Sequence, residues 1–155
     1  MPMRQKAIVI HSPSSGRSGK LTEALSWLHQ AGLEIVNTIP ISAIDGLPPQ
    51  GPDWQEQGIQ LVIAAGGDGL VGGVTSHIVS SGLPLGILPL GTANDVARTV
   101  GIPMDIKQAA AVIMRGKIIS IDIGVAQRAE QEPIVFLTTI LRSSLLARRA
   151  ISRMP

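Results

Sequence analysis

Two short glycine-containing segments carry side chains that suit phosphate chemistry. The first has the sequence GGDG at residues 66–69 and follows a nearly continuous apolar run, residues 59–65. Glycines at the end of a strand let backbone N–H groups approach an anion without a Cβ in the way, and the next helix adds partial positive charge. Asp68 would instead serve a metal ion or accept a proton from a hydroxyl group. The alternative is a plain tight turn in which Asp68 caps a helix.

The second segment, residues 88–95, has the sequence LPLGTAND. Its proline and glycine restrict the backbone, while Thr92, Asn94 and Asp95 place three polar side chains within four positions. The alternative is a helix start in which Thr92 or Asn94 is the cap and Asp95 complements the helix dipole. In both interpretations a helix opens near Asn94.

A third segment, residues 12–20, has the sequence SPSSGRSGK and combines hydroxyls, glycines and two cations, which also suit phosphate. It is not a Walker A loop, because Ser14 stands where that motif requires glycine and Leu21 follows the lysine. The alternative is a flexible solvated loop. Residues 67–72 fit G-x-G-x-x-G, but the acid that a dinucleotide site needs about 20 residues later is missing, so this match is weak.

The elements that must position these loops alternate between short apolar runs and helical patterns. The alternation predicts an α/β fold, a Rossmann-like parallel sheet flanked by helices, in which loops after the strands converge on one edge. Strands are predicted at residues 7–10, 34–39, 59–65, 85–88 and 117–123, helices at 21–31, 71–81 and 106–114, a helix-ending glycine at Gly32, and an irregular connection at 45–53.

The composition indicates one folded domain and excludes several kinds of site. The chain has 155 residues with an apolar fraction of 45%, which is enough to form a core. It has no cysteine, so disulfides, thiolate catalysis and cysteine-based zinc sites are excluded. Its three histidines lie far apart and its aromatic residues are two Trp and one Phe. Neither a histidine-rich metal cluster nor a stacking platform for single-stranded nucleic acid is therefore expected.

The net charge of +2 is unevenly distributed. Residues 1–132 carry nine basic and eleven acidic side chains, whereas residues 133–155 carry four arginines and no acid. A nearly neutral body argues against a protein that coats nucleic acid, so we expect no nucleic-acid partner. The apolar run at residues 7–10 is too short for a secretion signal or a membrane span, and the chain is expected to be cytoplasmic.

The terminal residues 141–155 are predicted to form a basic helix. Arg142, Arg149 and Arg153 fall on one side of it and Arg148 interrupts the other. Such a helix either lies on a membrane surface, giving peripheral contact, or is solvated or docked on protein.

Together the segments resemble the catalytic domain of the diacylglycerol kinase-like lipid kinases, a family that includes bacterial lipid kinases and sphingosine kinases. The resemblance covers about residues 7–124, and its most specific part is residues 84–98. The segments that carry it are SPSSG at 12–16, GGDG at 66–69, PLGILPLGTANDVAR at 84–98 and IDIG at 121–124.

The resemblance implies a nucleotide-binding domain similar in outline to NAD kinase and phosphofructokinase. It also implies ATP as phosphoryl donor, Mg²⁺ as divalent metal and a lipid hydroxyl of the diacylglycerol type as acceptor. Asp68 would be the catalytic residue and would serve the metal and hydroxyl network indirectly. The nucleotide contacts would come from Ser12, Pro13, Ser15, Gly16, Gly66, Gly67, Gly69, Gly91, Thr92, Asn94 and Asp95.

This sequence departs from the family pattern at several polar positions. Ser12 replaces an asparagine, Leu70 replaces a threonine, and Gly72 and Gly73 replace an Asn-Glu pair. Each change removes a polar group where ATP and Mg²⁺ would sit, so reduced ATP affinity or a degenerate member is predicted. Restoring the threonine with Leu70→Thr is expected to tighten ATP binding.

The chain is also about half the length that the resemblance implies. Residues 1–124 would form the nucleotide-binding domain, and residues 125–155 the start or remnant of a β-rich second domain, with a strand at 133–137. A missing C-terminal half would expose apolar edge surface, so self-association is expected. The leading hypothesis is a lipid kinase ATP-binding domain that is incomplete by itself. The alternatives are an NAD kinase-like enzyme and a nucleotide-binding module without catalysis.

Overall fold

The fold alternates strands and helices along the chain. This computed structural model describes residues 4–13, 18–126 and 134–136. The elements are β1 (Lys6–His11), α1 (Ser18–Gln30), β2 (Glu34–Pro40), a 3-10 helix (Ile41–Ala43), α2 (Gly51–Glu56), β3 (Leu61–Gly66), α3 (Asp68–Ile78), β4 (Leu85–Pro89), α4 (Asp95–Thr99), α5 (Ile106–Arg115), β5 (Gly124–Ala126) and β6 (Ile134–Phe136).

Strands β1 to β4 form one parallel sheet in the order β2-β1-β3-β4. His11, at the end of β1, pairs with Ala65 of β3, and Gly66 at the end of β3 pairs with Pro89 of β4. Parallel strands end at the same edge of a sheet. The loops that follow β1, β3 and β4 therefore begin side by side at that edge. This edge is where open α/β sheets bind ligands.

Helices cover both faces of the sheet, and β3 shows why. All six of its residues are buried, and successive side chains point to opposite faces. Ile63 packs with Leu28 of α1 and Ala109 of α5, while Val62 on the other face packs with Val74 of α3. Each fully buried Leu, Ile or Val side chain stabilises the fold by roughly 1.5–3 kcal/mol, so both helical layers are held mainly by apolar burial.

The predicted α/β architecture is confirmed. The strands expected at residues 7–10, 34–39, 59–65 and 85–88 are present within one or two residues at each end. Gly32 follows α1 with a φ of 97°, a left-handed conformation that favours glycine. The helices expected at 21–31 and 106–114 are α1 and α5, the helix expected at 71–81 is α3, which begins three residues earlier and ends at Ile78, and the helix expected near Asn94 is α4.

The strand predicted at residues 117–123 is wrong. After Gly116, which ends α5 with a φ of 66°, these residues belong to no strand, and strand pairing begins at Gly124. Isoleucines have a high β-propensity, but a strand forms only where a neighbour supplies pairing and cover. Here Ile118 and Ile119 are 72% and 54% exposed.

The irregular connection predicted at residues 45–53 is also partly wrong, because α2 begins within it at Gly51. Pro52 stands in the first turn, where its missing N–H costs nothing, and Trp54 is buried against α3 and β3. The tertiary contact of one large side chain thus stabilises a helix that the local Pro- and Gly-rich composition does not indicate.

Two predictions concern the end of the chain. Residues 134–136 form β6, antiparallel to β5, within the strand expected at 133–137. The basic helix expected at 141–155 lies outside the described residues. Within the described residues, no helix is long and apolar enough to cross a membrane.

Candidate functional site

Two loops meet at the carboxyl edge of the sheet, where β3 and β4 end. Gly67 has extended backbone and precedes α3, which begins at Asp68. The loop after Pro89 runs to Asn94, where α4 follows. The backbone N–H of Leu90 donates to the carbonyl of Gly66 at 3.2 Å, so the two loops are joined where they leave the sheet.

Gly67 and Gly91 lie in direct backbone contact. A Cβ built on Gly91 would collide with the Cα of Gly67 and would lie 2.9 Å from its nitrogen. A Cβ built on Gly67 would come within 3.2 Å of the Cα of Gly91. Glycine at both positions is therefore what allows the two loops to touch.

The carboxylate of Asp68 links the two loops a second time. Its Oδ1 accepts the backbone N–H of Val96 at 2.9 Å, and its Oδ2 accepts the backbone N–H of Asp95 at 3.1 Å. These are first-turn N–H groups of α4, which have no partner within that helix. Asp68 therefore caps α4, and not α3, the helix in which it lies.

Asn94 closes the second loop on itself. Its backbone is left-handed, with a φ of 54°, and it is 7% exposed. Its Oδ1 accepts the N–H of Gly91 and its Nδ2 donates to the carbonyl of Gly91, both at 2.9 Å. Asparagine tolerates this backbone conformation better than most residues. The amide of Asn94 thus holds the loop, and it makes no side-chain cap for α4.

Thr92 and Asp95 have exposed side chains on the same loop. Arg98 fixes the backbone between them, because its Nε donates to the carbonyl of Ala93 at 3.0 Å. The hydroxyl of Thr92 and the carboxylate of Asp95 are thus presented on a backbone held by Asn94, Arg98 and Asp68.

The start of α3 is open toward the loops. Gly67 precedes the helix and supplies no side-chain cap, whereas Asp105 caps α5 by accepting the N–H of Gln108 at 2.9 Å. A Cβ added at Gly69 would meet nothing within 4 Å. Exposed N–H groups at the N-terminus of a helix attract anions, so this end of α3 suits a phosphate group.

Leu70 takes no part in this polar surface. It is 8% exposed and belongs to the apolar cluster under α3. Its side chain covers Gly66 so closely that a Cβ on that glycine would collide with it. At Gly72 nothing lies within 4 Å of an added Cβ, so this position is open.

The segment after β1 is described only at its start. Ser12 is half-buried and Pro13 is exposed, at the same sheet edge as the other loops. Ser15 and Gly16 lie outside the described residues. Their proposed nucleotide contacts stay a prediction.

The carboxylates of Asp68 and Asp95 are the acidic groups of the two loops. The described residues contain no group of three or more His, Cys, Asp or Glu side chains that would hold a metal ion by themselves. Mg²⁺ in phosphoryl-transfer sites needs only one or two carboxylates, because substrate phosphates and water complete its shell. A carboxylate offers about four lone pairs, and the two backbone contacts leave Asp68 capacity for a water ligand.

Residues 6–126 match the sequence model of the diacylglycerol kinase catalytic domain. The chain belongs to this family. Diacylglycerol kinases of Staphylococcus saprophyticus and of Staphylococcus aureus strain JH9 are each 34% identical to it over 127 residues, or 79% of this chain. The aligned part is 41% and 40% of those two relatives, so the chain spans less than half of their length.

Solved structures from Bacillus anthracis strain Sterne have the same fold. A protein assigned as a diacylglycerol kinase superimposes with a TM-score of 0.63 and 26% identity, and a diacylglycerol kinase with 0.59 and 28%. In both comparisons the match covers 77% of this chain and 42% of the other. The diacylglycerol kinase-like fold is therefore present for the matched portion.

The sequence pattern predicts that the two loops reach one edge of the sheet, but it does not predict how they are joined. The pattern predicts neither the Gly67–Gly91 contact nor the hydrogen bond from Arg98 to Ala93. The sequence carries a signal for the Gly67–Gly91 contact, since each loop has a glycine within two residues of the end of its strand. The use of Val96 as a backbone donor had no sequence signal, because any residue except proline carries that N–H.

Proposed function

We propose that this chain is the ATP-binding domain of a lipid kinase that transfers the γ-phosphate of ATP to a lipid hydroxyl of the diacylglycerol type. The observation that carries the proposal is the junction of the GGDG turn with the loop at residues 91–95, made by the Gly67–Gly91 contact and the Asp68 cap. Membership of the diacylglycerol kinase catalytic domain family and the names of the relatives support the same reaction.

In this proposal the phosphates of ATP lie against the start of α3. Gly67 and Gly69 leave the backbone accessible there, and the helix dipole offsets negative charge. The hydroxyl of Thr92 is a further donor, held in place through Asn94 and Gly91. Phosphoryl transfer depends chiefly on positioning and charge neutralisation, and these groups supply both.

Mg²⁺, when bound, would neutralise charge on the phosphate oxygens. Asp68 and Asp95 are the carboxylates that would hold it, Asp68 through water, because both its oxygens already accept backbone N–H groups. Asp68 therefore has two proposed tasks. It keeps the two loops in register, and it serves the metal and the acceptor hydroxyl.

We propose that turnover also needs residues beyond the region that the relatives share with this chain. The relatives are more than twice as long as the region they share with it. We propose that the remaining part of such a protein completes the lipid site, and that residues 125–155 lead into it or are its remnant.

The test is a calorimetric titration of ATP–Mg²⁺ into the purified chain, with NAD as comparison. Saturable ATP binding that weakens in Gly69→Val supports the proposal, because a β-branched side chain would cover the start of α3. A control is Ala111→Val, which places the same β-branched side chain at an exposed helix position outside the two loops. Saturable NAD binding without ATP binding would favour an NAD kinase-like enzyme. Absence of binding in folded protein would contradict both.

The side chains at the start of α3 favour a second candidate, a module that binds nucleotide without catalysis. Leu70 is buried, and Gly72 and Gly73 stand where the resemblance implies an Asn-Glu pair, so residues 69–74 of α3 offer ATP and Mg²⁺ no polar side chain. ATP binding without phosphoryl transfer, after a C-terminal half from a related diacylglycerol kinase is supplied, would support this candidate.

A further inference from the structure

An open groove runs between helices α1 and α5, away from the phosphate loops. Its volume is about 370 Å³. Its apolar lining consists of Trp27, Ala31, Ala110, Ala111 and Met114, of which Ala110 is buried. Ala111 is exposed and Met114 is half-buried. Small side chains beside a long flexible one leave a depression into which the ridge of another helix can pack.

Two cations flank this apolar surface. The Nζ of Lys107 lies 4.5 Å from the centroid of the Trp27 ring, in a cation–π contact, and Arg115 lines the groove eight residues farther along α5. Eight residues are just over two helical turns, or about 12 Å. None of the residues that line the groove is acidic.

The two positive charges beside the groove indicate what kind of molecule binds there. Residues 133–155 carry four arginines and no acidic residue, so they would be repelled by Lys107 and Arg115. An acyl chain is a poor match, because the groove is open beside the exposed Ala111 and would leave much of the chain in water. A helix with one apolar and one polar face covers the alanines and keeps its own outer face solvated.

We propose that the groove docks an amphipathic helix of a partner protein, with leucine-like side chains against Ala111 and Met114 and acidic side chains about two turns apart near Lys107 and Arg115. This is helix-in-groove recognition with charge complementarity at both ends. The site is independent of the proposed kinase activity, because none of its residues belongs to the phosphate loops.

A synthetic helical peptide tests the proposal. The probe carries two leucines one turn apart, flanked by glutamates eight positions apart, and the control peptide carries lysines instead of the glutamates. Trp27 lines the groove, so binding changes its fluorescence, and that change is lost in Trp27→Phe. We expect the glutamate peptide alone to bind, with affinity falling as salt is raised.

Charge reversal gives the decisive comparison. The double variant Lys107→Glu with Arg115→Glu should lose about tenfold in affinity for the glutamate peptide and gain binding of the lysine peptide. Lys20→Glu, an exposed cation of α1 outside the groove, should change neither. Ala111→Gln should block the peptide by bulk while both cations remain.

Circular dichroism first verifies that each variant is folded. Equal binding of both peptides, or an unchanged preference after charge reversal, would overturn the proposal. Binding of phosphatidylglycerol vesicles through Lys107 and Arg115, in the absence of peptide binding, would assign the groove to a membrane instead. A dimer that Ala111→Gln disrupts would assign it to a second copy of the chain.

Discussion

The Oδ1 atom of Asp68 lies 2.9 Å from the backbone nitrogen of Val96, although the two residues are 28 positions apart in the chain. The cap of α4 is therefore supplied by the first residue of α3, and not by the residue that precedes α4. As a consequence, a change that displaces the GGDG turn also displaces the start of α4. The GGDG turn and the loop at residues 91–95 therefore behave as one structural unit.

Asp68→Asn should weaken this unit. Asparagine has one side-chain oxygen, so its amide nitrogen would face a backbone N–H donor, and the negative charge at the helix start is lost. We expect the free energy of unfolding to fall by about 1 kcal/mol while the fold is retained, which urea denaturation measures. On the proposed function, phosphoryl transfer by the complete enzyme is abolished.

Asp95→Asn is the control for Asp68→Asn. It also removes a carboxylate from the start of α4, but the side chain of Asp95 is exposed and only its backbone N–H meets Asp68. The free energy of unfolding should therefore fall less in Asp95→Asn than in Asp68→Asn. If Asp68→Asn were as stable as the unchanged chain, Asp68 would not act as the cap of α4. Full kinase activity of Asp68→Asn would contradict the proposed role of Asp68 in phosphoryl transfer.

Asn94→Ala should be among the more destabilising changes in the second loop. It removes both hydrogen bonds to Gly91 and leaves alanine in a left-handed conformation, which together cost about 2–4 kcal/mol. Asn94→Gly loses the same hydrogen bonds but tolerates the backbone, so it should lie between alanine and the unchanged chain. Thermal unfolding of the three proteins measures this order, and a glycine variant less stable than the alanine variant would refute it.

Gly91→Ala should separate the two loops. The added methyl group would collide with the backbone of Gly67, which has no flexible end that can move aside. We expect a loss of about 1–3 kcal/mol in unfolding free energy, as for other overpacked sites, together with weaker ATP binding if that proposal holds. Unchanged stability would show that the loops can part without cost.

Gly72→Ala should raise the free energy of unfolding, whereas Gly91→Ala lowers it. Gly72 lies inside α3, and an added Cβ would meet nothing within 4 Å. Alanine is favoured over glycine in a helix interior by roughly 0.5–1 kcal/mol, so the variant should unfold at a correspondingly higher urea concentration. Gly73→Ala is the matched neighbour, since its Cβ would make an ordinary contact with Ile41 at 3.6 Å. A destabilised Gly72→Ala would mean that the helix start needs the flexibility of glycine.

The fold was largely predictable because its signals are local. Short apolar runs such as residues 59–65 and the spacing of apolar residues in α1 and α5 determine the strand and helix types without any knowledge of neighbours. The failure at residues 117–123 has the opposite cause. Whether Ile118 to Ile123 pair as a strand depends on a neighbouring strand, which a local pattern does not report.

The site was predictable in its parts and not in its connections. Residue types placed Asp68 and Asn94 in the right loops, and the topology brought those loops together. What each side chain bonds to depends on distances between loops, so the interpretation of Asn94 as a helix cap or nucleotide contact missed its pairing with Gly91. The alternative in which Asp68 caps a helix is confirmed. The helix that it caps is α4, and not α3, in which Asp68 lies.

Leu70→Thr should cost stability. Leu70 is 8% exposed and packs against Gly66, so threonine removes buried apolar atoms and places a hydroxyl in an apolar cluster. We expect a loss of about 2–3 kcal/mol in unfolding free energy. Valine has the β-branched shape of threonine without the hydroxyl, so Leu70→Val should lower the free energy of unfolding less. The difference between the two variants isolates the effect of the polar group.

The burial of Leu70 also changes the ATP affinity expected for Leu70→Thr, which the family pattern alone predicts to rise. A hydroxyl at residue 70 should remain among the apolar residues below Gly66, so the affinity measured by calorimetry should stay within about twofold of the unchanged chain. Tighter binding by Leu70→Thr and not by Leu70→Val would show that the threonine hydroxyl reaches the phosphates. In that case the start of α3 must adjust when nucleotide binds, because Leu70 itself lies under the loop and not on it.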